Sequence, residues 1–278
     1  MLEIIGRDKS NSLADSVDTG GGPADLATVL ASTVFDLDAT ITDSYAGTGT
    51  VWHNMIISPA DGAAQTDYDF YRGNGASSNT YPTFNGSAGS AAAYWSCDGG
   101  DYFALQSGTN TAFLNNLHKT TGGTDWWFAF TTRQPDGPAR IFFATAEGAT
   151  QNGIRLLSTT TELLTSGQGN GATFNNATGP AFPVDTDNIV IISHSHSIGK
   201  TRFWLNSATA TEVTQAYNTT IANPAKPAVI GAETDFGSPM INGSRIYSVA
   251  MGNEFLDNTQ VAALIAHMEA RHGRDYTP

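Results

Sequence analysis

The sequence predicts an all-β fold, an antiparallel sandwich carrying one short C-terminal helix. Three observations lead there. Short apolar or alternating runs recur between turn clusters, with no helical pattern separating them. The composition pairs 40% hydrophobic residues with 29 glycines and only 14% charged residues, as many short strands joined by many turns require. One capped helical stripe stands alone near the end of the chain. At 278 residues such a sandwich fits a single domain, with apolar surface enough for a substantial core.

Residues 1–30 read as an N-terminal arm and linker, and 31–278 as the sandwich domain. The arm opens on an apolar tip, MLEII, and ends where Thr19-Gly-Gly-Gly-Pro23 breaks regular structure. Leu2, Ile4 and Ile5 are the residues expected to dock on another subunit. Thr33–Asp38 alternates as a half-buried strand should. Further strands follow at Tyr102–Leu105, at the aromatic run Asp125–Thr132 closed by Pro135-Asp-Gly-Pro138, and at Ala139–Ala144 and Gly153–Leu157. The Gly/Asn-rich stretch 166–179 reads as a loop. Asn188–His194 and Thr201–Asn206 flank a Ser-Ile-Gly-Lys turn as a hairpin, and Val229–Gly231 and Gly243–Ala250 complete the series. In Asp257-Asn-Thr-Gln260 the first and last residues form a capping box. Val261, Leu264, Ile265 and Met268 then make one apolar stripe, and Gly273 supplies the stop.

Charge excludes some partners. The net charge is −13, and the four lysines, Lys9, Lys119, Lys200 and Lys226, are scattered, so no basic patch awaits a phosphate backbone. Nucleic acid and membrane insertion are therefore not expected, and no apolar run approaches the roughly 18 residues of a membrane span. Cys97 is the only cysteine, which rules out an intrachain disulfide and a cysteine-based zinc site. The N-terminus lacks a basic segment followed by a long apolar one, so synthesis and folding in a cytoplasm are expected.

The order of the pieces resembles the laminin-G-like/concanavalin-A-like sandwich. Phe35-Asp-Leu-Asp38 followed by Tyr45–Trp52 is similar to the family's first strand, Gly-rich turn and Trp. Cys97-Asp-Gly-Gly-Asp-Tyr-Phe103 is similar to its "FDG–DY" element, and Trp126–Phe130 to the aromatic strand that follows. Thr201–Asn206 resembles its "LYVNG" hairpin strand, with Ser207 in place of the usual Gly. Ile230-Gly231, Asn242–Tyr247 and Phe255–Gln260 match its closing order. The likeness spans residues 32–273 and implies a jelly-roll sandwich, of the kind also found in phage structural proteins.

What the resemblance implies is docking or adhesion rather than catalysis. The leading expectation is a phage virion protein (capsid decoration, head-fibre or tail-associated) located on the virion. It would attach to other virion proteins or to its own copies through the arm, and could also hold surface glycans. The alternative is a bacterial carbohydrate-binding module or lectin, with a glycan-active enzyme third.

Related glucanases use a Glu-x-Asp-x-x-Glu strand that aims two carboxylates into one cleft. Glu233-Thr-Asp-Phe-Gly-Ser238 comes nearest but lacks the second Glu, and the chain has only seven glutamates, so no catalytic residues are assigned. His194 and His196 could share a strand face, yet no third metal ligand lies near them in sequence. No cofactor is expected, though the resemblance admits calcium at loop ends. Asp98 with Asp101, and Asp185 with Asp187, read as turn acids bonding their own backbone. Trp52, Trp95, Trp126, Trp127 and Trp204 could form a sugar platform or pack the core. Trp126 and Trp127 must point to opposite faces of one strand.

Overall fold

A computed structural model describes residues 25–73, 78–146, 152–215 and 221–277. Leu2, Ile4 and Ile5 lie outside them. In chain order the strands are β1 (Thr33–Asp38), β2 (Val51–Trp52), β3 (Phe70–Arg72), β4 (Thr83–Asn85), β5 (Tyr94–Ser96), β6 (Phe103–Leu105), β7 (Trp126–Arg133) and β8 (Arg140–Ala144). Then follow β9 (Asn152–Ser158), β10 (Leu163–Asn170), β11 (Phe174–Ala181), β12 (Asp187–Ser195), β13 (Lys200–Leu205), β14 (Thr211–Thr214), β15 (Val229–Ile230) and β16 (Arg245–Gly252). Three α-helices accompany them, α1 (Leu26–Val29), α2 (Ala112–Asn116) and α3 (Asn258–His272).

The strands pair antiparallel into two eight-stranded sheets. Sheet A runs β14-β13-β12-β7-β16-β5-β4, with β1 also paired to β16. Sheet B runs β11-β10-β9-β8-β15-β6-β3-β2. Aromatic side chains fill the space between them, among them Phe35, Trp52, Trp95, Phe103, Trp126, Phe128 and Phe143. The all-β sandwich and its C-terminal helix thus stand as the sequence predicts.

Helix α3 forms as its sequence dictates. Asp257 Oδ1 accepts from the Gln260 amide at 2.8 Å, and Gln260 Oε1 accepts from the Asp257 amide at 2.9 Å. Gly273 ends the helix in the left-handed region at φ 58°, where a Cβ would be strained. Val261, Leu264, Ile265 and Met268 bury against the outer side of sheet A, onto Trp127, Ala129, Ile189, Ile191, Trp204 and Ala250. Trp204 Nε1 donates to Asn258 Oδ1 at 2.8 Å, so sheet and helix are tied at the helix's first turn as well.

Three local expectations change. Leu26 and Leu30 are buried in the same cluster as α3, so packed structure begins ahead of residue 30. Strand β1 is buried along its whole length rather than half-buried, because its polar side meets α3. The stretch 166–179 is not a loop but the greater part of a hairpin, β10 paired with β11 from Leu163↔Ala181 to Gly169↔Phe174. Its glycines serve the sheet. A Cβ on Gly167 would stand 2.7 Å from Asn176 Oδ1 and 3.2 Å from the Phe174 ring, so cross-strand side chains occupy that space.

The polar side of β1 carries Asp36 and Asp38, both fully buried. Arg271 Nη1 reaches Asp36 Oδ2 at 2.9 Å and Asp38 Oδ2 at 3.2 Å, and His272 Nε2 lies 3.0 Å from Asp38 Oδ2. His272 Nδ1 is 2.8 Å from the Tyr276 hydroxyl. Burial pushes the Asp36 carboxyl up to about 6, against the pull of Arg271 and with the charge of Asp38 adding to the rise. Burial also opposes the Asp38 charge, but His272, Arg271 and a Thr40 hydrogen bond outweigh it and hold that carboxyl well below the usual range.

Removing one member of a buried ion cluster strands the others in low dielectric. Arg271→Ala is therefore expected to cost about 3–5 kcal/mol in urea unfolding; a loss within experimental error of zero would show that the cluster does not hold α3.

Burial also sets the response to acid. It pushes His194 down to about 3, His118 to about 4 and His267 to about 4. The unfolded chain thus binds more protons at these three below about pH 6.5, and folding stability falls as they charge in it. Asp36 and Asp101, both raised to about 6 chiefly by burial, act oppositely, since the native state binds their protons more readily. Three histidines outweigh two aspartates, so Tm is expected to drop by a few degrees between pH 7 and pH 5. A Tm that rises over that interval contradicts the assignment.

Candidate functional site

The two sheets differ in what lies on their outer sides. Sheet A is covered by α1 and α3. Sheet B has no helix packed over its centre among the described residues, and its outward side chains form a row set by register. Tyr71 pairs with Ala104, Ala104 with Val229, Val229 with Ala144, Ala144 with Arg155, Arg155 with Gly167 and Gly167 with Asn176. The middle of this row is Ala104, Val229 and Ala144, all buried.

Polar and aromatic groups flank this row. The Gln106 amide donates to the Tyr71 hydroxyl at 3.2 Å. Arg155 Nη1 donates to Glu233 Oε1 at 2.6 Å, and its guanidinium sits 4.4 Å from the Phe174 ring centre. From the end of β15 the chain turns over the sheet. The Phe236 amide donates to the Glu233 carbonyl at 2.8 Å, and the Glu233 amide to the Gly237 carbonyl at 2.9 Å. Asp235 Oδ1 accepts from the Gly237 amide at 3.0 Å.

This turn holds Phe236 at φ 66°, a left-handed conformation costly for a bulky side chain. Its ring lies flat on Tyr102, with centres 4.2 Å apart and planes 10° from parallel. Tyr102 is buried beneath it, while Phe236 is 40% exposed. One ring face is spent on Tyr102 and the other side is left to solvent. A strained backbone under an exposed aromatic makes this turn a candidate for function.

The sequence-derived candidates fall elsewhere. All five tryptophans are buried, so none forms a sugar platform. Trp126 points between the sheets and Trp127 outward under α3, the opposite faces that the strand requires. His194 is enclosed between the sheets, 2.9 Å from Gln168 Nε2 and 2.8 Å from Thr201 Oγ1. His196 lies past the strand end, with Nε2 2.7 Å from the Thr120 carbonyl, so the two imidazoles do not converge. Among the described residues no group of three or more His, Cys, Asp or Glu is placed to hold a metal ion. Asp98 and Asp101 accept the Gly100 and Asp98 amides, as turn acids do. Asp187 instead accepts from the Tyr247 hydroxyl at 2.6 Å and pairs with Arg274 at 3.0 Å. Phe236, Tyr102 and Arg155 went unread as site residues.

A second concavity of about 560 Å³ lies beside α3, lined by Asp25, Asp36, Ile41, Asp43, Met55, Ile57, Gln65 and Arg271. Two of its charged groups, Asp36 and Arg271, are already committed to the cluster that anchors the helix.

No protein-family model matches the sequence, and no curated protein matches it. Among solved structures, a Trypanosoma rangeli sialidase in complex with sialic acid is similar at 12% identity and a TM-score of 0.53, covering 86% of this chain and 33% of that chain. A mutant of the same sialidase displaying trans-sialidase activity gives 10% identity and a TM-score of 0.53, over 87% of this chain and 33% of that chain. The Ruminococcus gnavus IT-sialidase CBM40 bound to alpha2,3 sialyllactose aligns at 12% identity over 62% of this chain and 95% of that chain, with a TM-score of 0.49. The chain spans about a third of the length of the sialidases it resembles. At these identities the likeness shows a shared β-sandwich fold.

Proposed function

We propose that the chain is a carbohydrate-binding module whose sugar surface is the outer face of sheet B. The observation that carries this reading is Phe236. It is an aromatic ring held by a strained turn, stacked on a buried Tyr102 and 40% exposed, on the same turn as Glu233, the partner of Arg155. A pyranose presents an apolar face to such a ring and hydroxyls to the groups around it. A fixed stacking partner removes the entropy cost of immobilising the ring at binding. A Trypanosoma rangeli sialidase, a third of which is similar to this chain, is in complex with sialic acid, which is consistent with a sugar as the class of ligand.

Binding without hydrolysis fits the same geometry. The two-carboxylate route of glycosidic cleavage needs two carboxyl groups flanking one bond, about 5 to 10 Å apart and free to act. Here Glu233 is ion-paired with Arg155 and Asp235 caps the Gly237 amide. Attachment to a virion through Leu2, Ile4 and Ile5 rests on residues the structure does not describe. The sugar-binding reading rests on described geometry and is preferred.

Phe236→Ala is expected to weaken binding to any glycan the chain retains on an array by at least about tenfold, or about 1.4 kcal/mol. Tm should stay within a few degrees, because the ring is largely outside the core. Ile57→Ala, in the exposed concavity beside α3, should leave binding unchanged. Equal affinity of Phe236→Ala and the parent chain would refute the proposed surface.

A further inference from the structure

We infer that the sheet B surface takes a neutral sugar and discriminates against acidic ones. The inference rests on the sugar-binding reading and adds the ligand's charge class. The first support is an inventory of cations. Sheet B strands carry Arg72, Arg140 and Arg155. Arg72 turns to the core side, where its Nε donates to the Pro82 carbonyl at 3.0 Å and its guanidinium lies 5.3 Å from the Trp95 ring centre. Arg140 is fully buried and pairs with Glu162 at 3.1 Å. Arg155 alone among the described strand residues presents a positive charge on the outer row.

That one charge is already used. Recognition of a sugar carboxylate is best served by an arginine fork free to donate to it bidentately. Arg155 gives one arm to Glu233 at 2.6 Å and lays its plane against Phe174 at 4.4 Å. An incoming carboxylate would have to displace Glu233, which is only 8% exposed, and leave that charge buried and unpaired. Asp235 adds a further negative charge on the same turn, and the chain as a whole carries −13, so an anionic ligand meets repulsion at long range too.

A neutral pyranose meets none of these costs. Its hydroxyls both donate and accept, which suits the Gln106 amide and the Tyr71 hydroxyl. Its apolar face suits the Phe236 ring.

The deciding experiment is a glycan array printed with matched pairs, each glycan with and without terminal sialic acid, probed with the full-length chain. The expected result is retention of neutral members, with their sialylated partners bound at least about tenfold more weakly. Binding of the neutral members should change little between about 0.05 and 0.5 M NaCl, since no charge on the ligand is there to be screened. Glu233→Gln releases the Arg155 fork and is expected to narrow the gap within a pair by about tenfold; a gap left unchanged in this variant would remove the Arg155–Glu233 pair as its cause and overturn the inference. Preference for sialylated members overturns the charge class while leaving the sugar-binding surface standing. Failure to retain any glycan is a different result, one that sinks the surface and the charge class together.

Discussion

Two aspartates on one side of β1 lie out of reach of solvent, and a buried carboxylate must either stay protonated or find a cation. Arg271 and His272, in the last turn of α3, are the partners of Asp36 and Asp38. Sequence distance makes the consequence large, because the first strand and the last helix become one buried cluster. The helix is thereby placed over sheet A, with its apolar stripe on Trp127, Trp204 and their neighbours. One sheet is sealed by this arrangement, and the other is left with its outer side to do something else.

That asymmetry directs the functional reading. Sheet A lies under α1 and α3, whereas no helix among the described residues packs over the buried central row of sheet B, Ala104, Val229 and Ala144. The turn after β15 sets Phe236 on Tyr102 in a conformation that bulky residues avoid. The tryptophans, which seem the obvious sugar platform in the sequence, are committed to the two hydrophobic clusters. Their size makes them the natural filling between wide sheets, and a smaller ring on a turn is left to face solvent.

Much of the fold was legible because its signals are local. Aromatic strands between turn clusters marked the sheets, and Asp257, Gln260 and Gly273 marked α3 to the residue. Where a strand lacked a local signal it was missed. Gly167, Gly169 and Gly171 made β10 and β11 look like a loop, since nothing near them in sequence reveals that Asn176 and Phe174 fill the space a side chain would need. Asp36 and Asp38 looked like solvent-facing strand residues for the same reason, their partners lying more than 230 positions away. The candidate site is less legible still, for it is assembled from Tyr71, Tyr102, Arg155 and Phe236, and no short motif holds them together. One trace was present, an aromatic residue inside the polar turn Thr234-Asp-Phe-Gly-Ser238, where a ring has no core to enter.

The account stands on the claim that ligand meets sheet B and not the sealed side. Amide chemical-shift mapping of the isotope-labelled chain, titrated with a glycan that it retains, addresses this most directly. The account predicts perturbations centred on Tyr71, Tyr102 to Gln106, Arg155, Phe174 and Glu233 to Gly237, with α3 silent. Shifts centred instead on Asp25, Asp43, Ile57 and the last turn of α3 would contradict it and move the site to the concavity beside the helix.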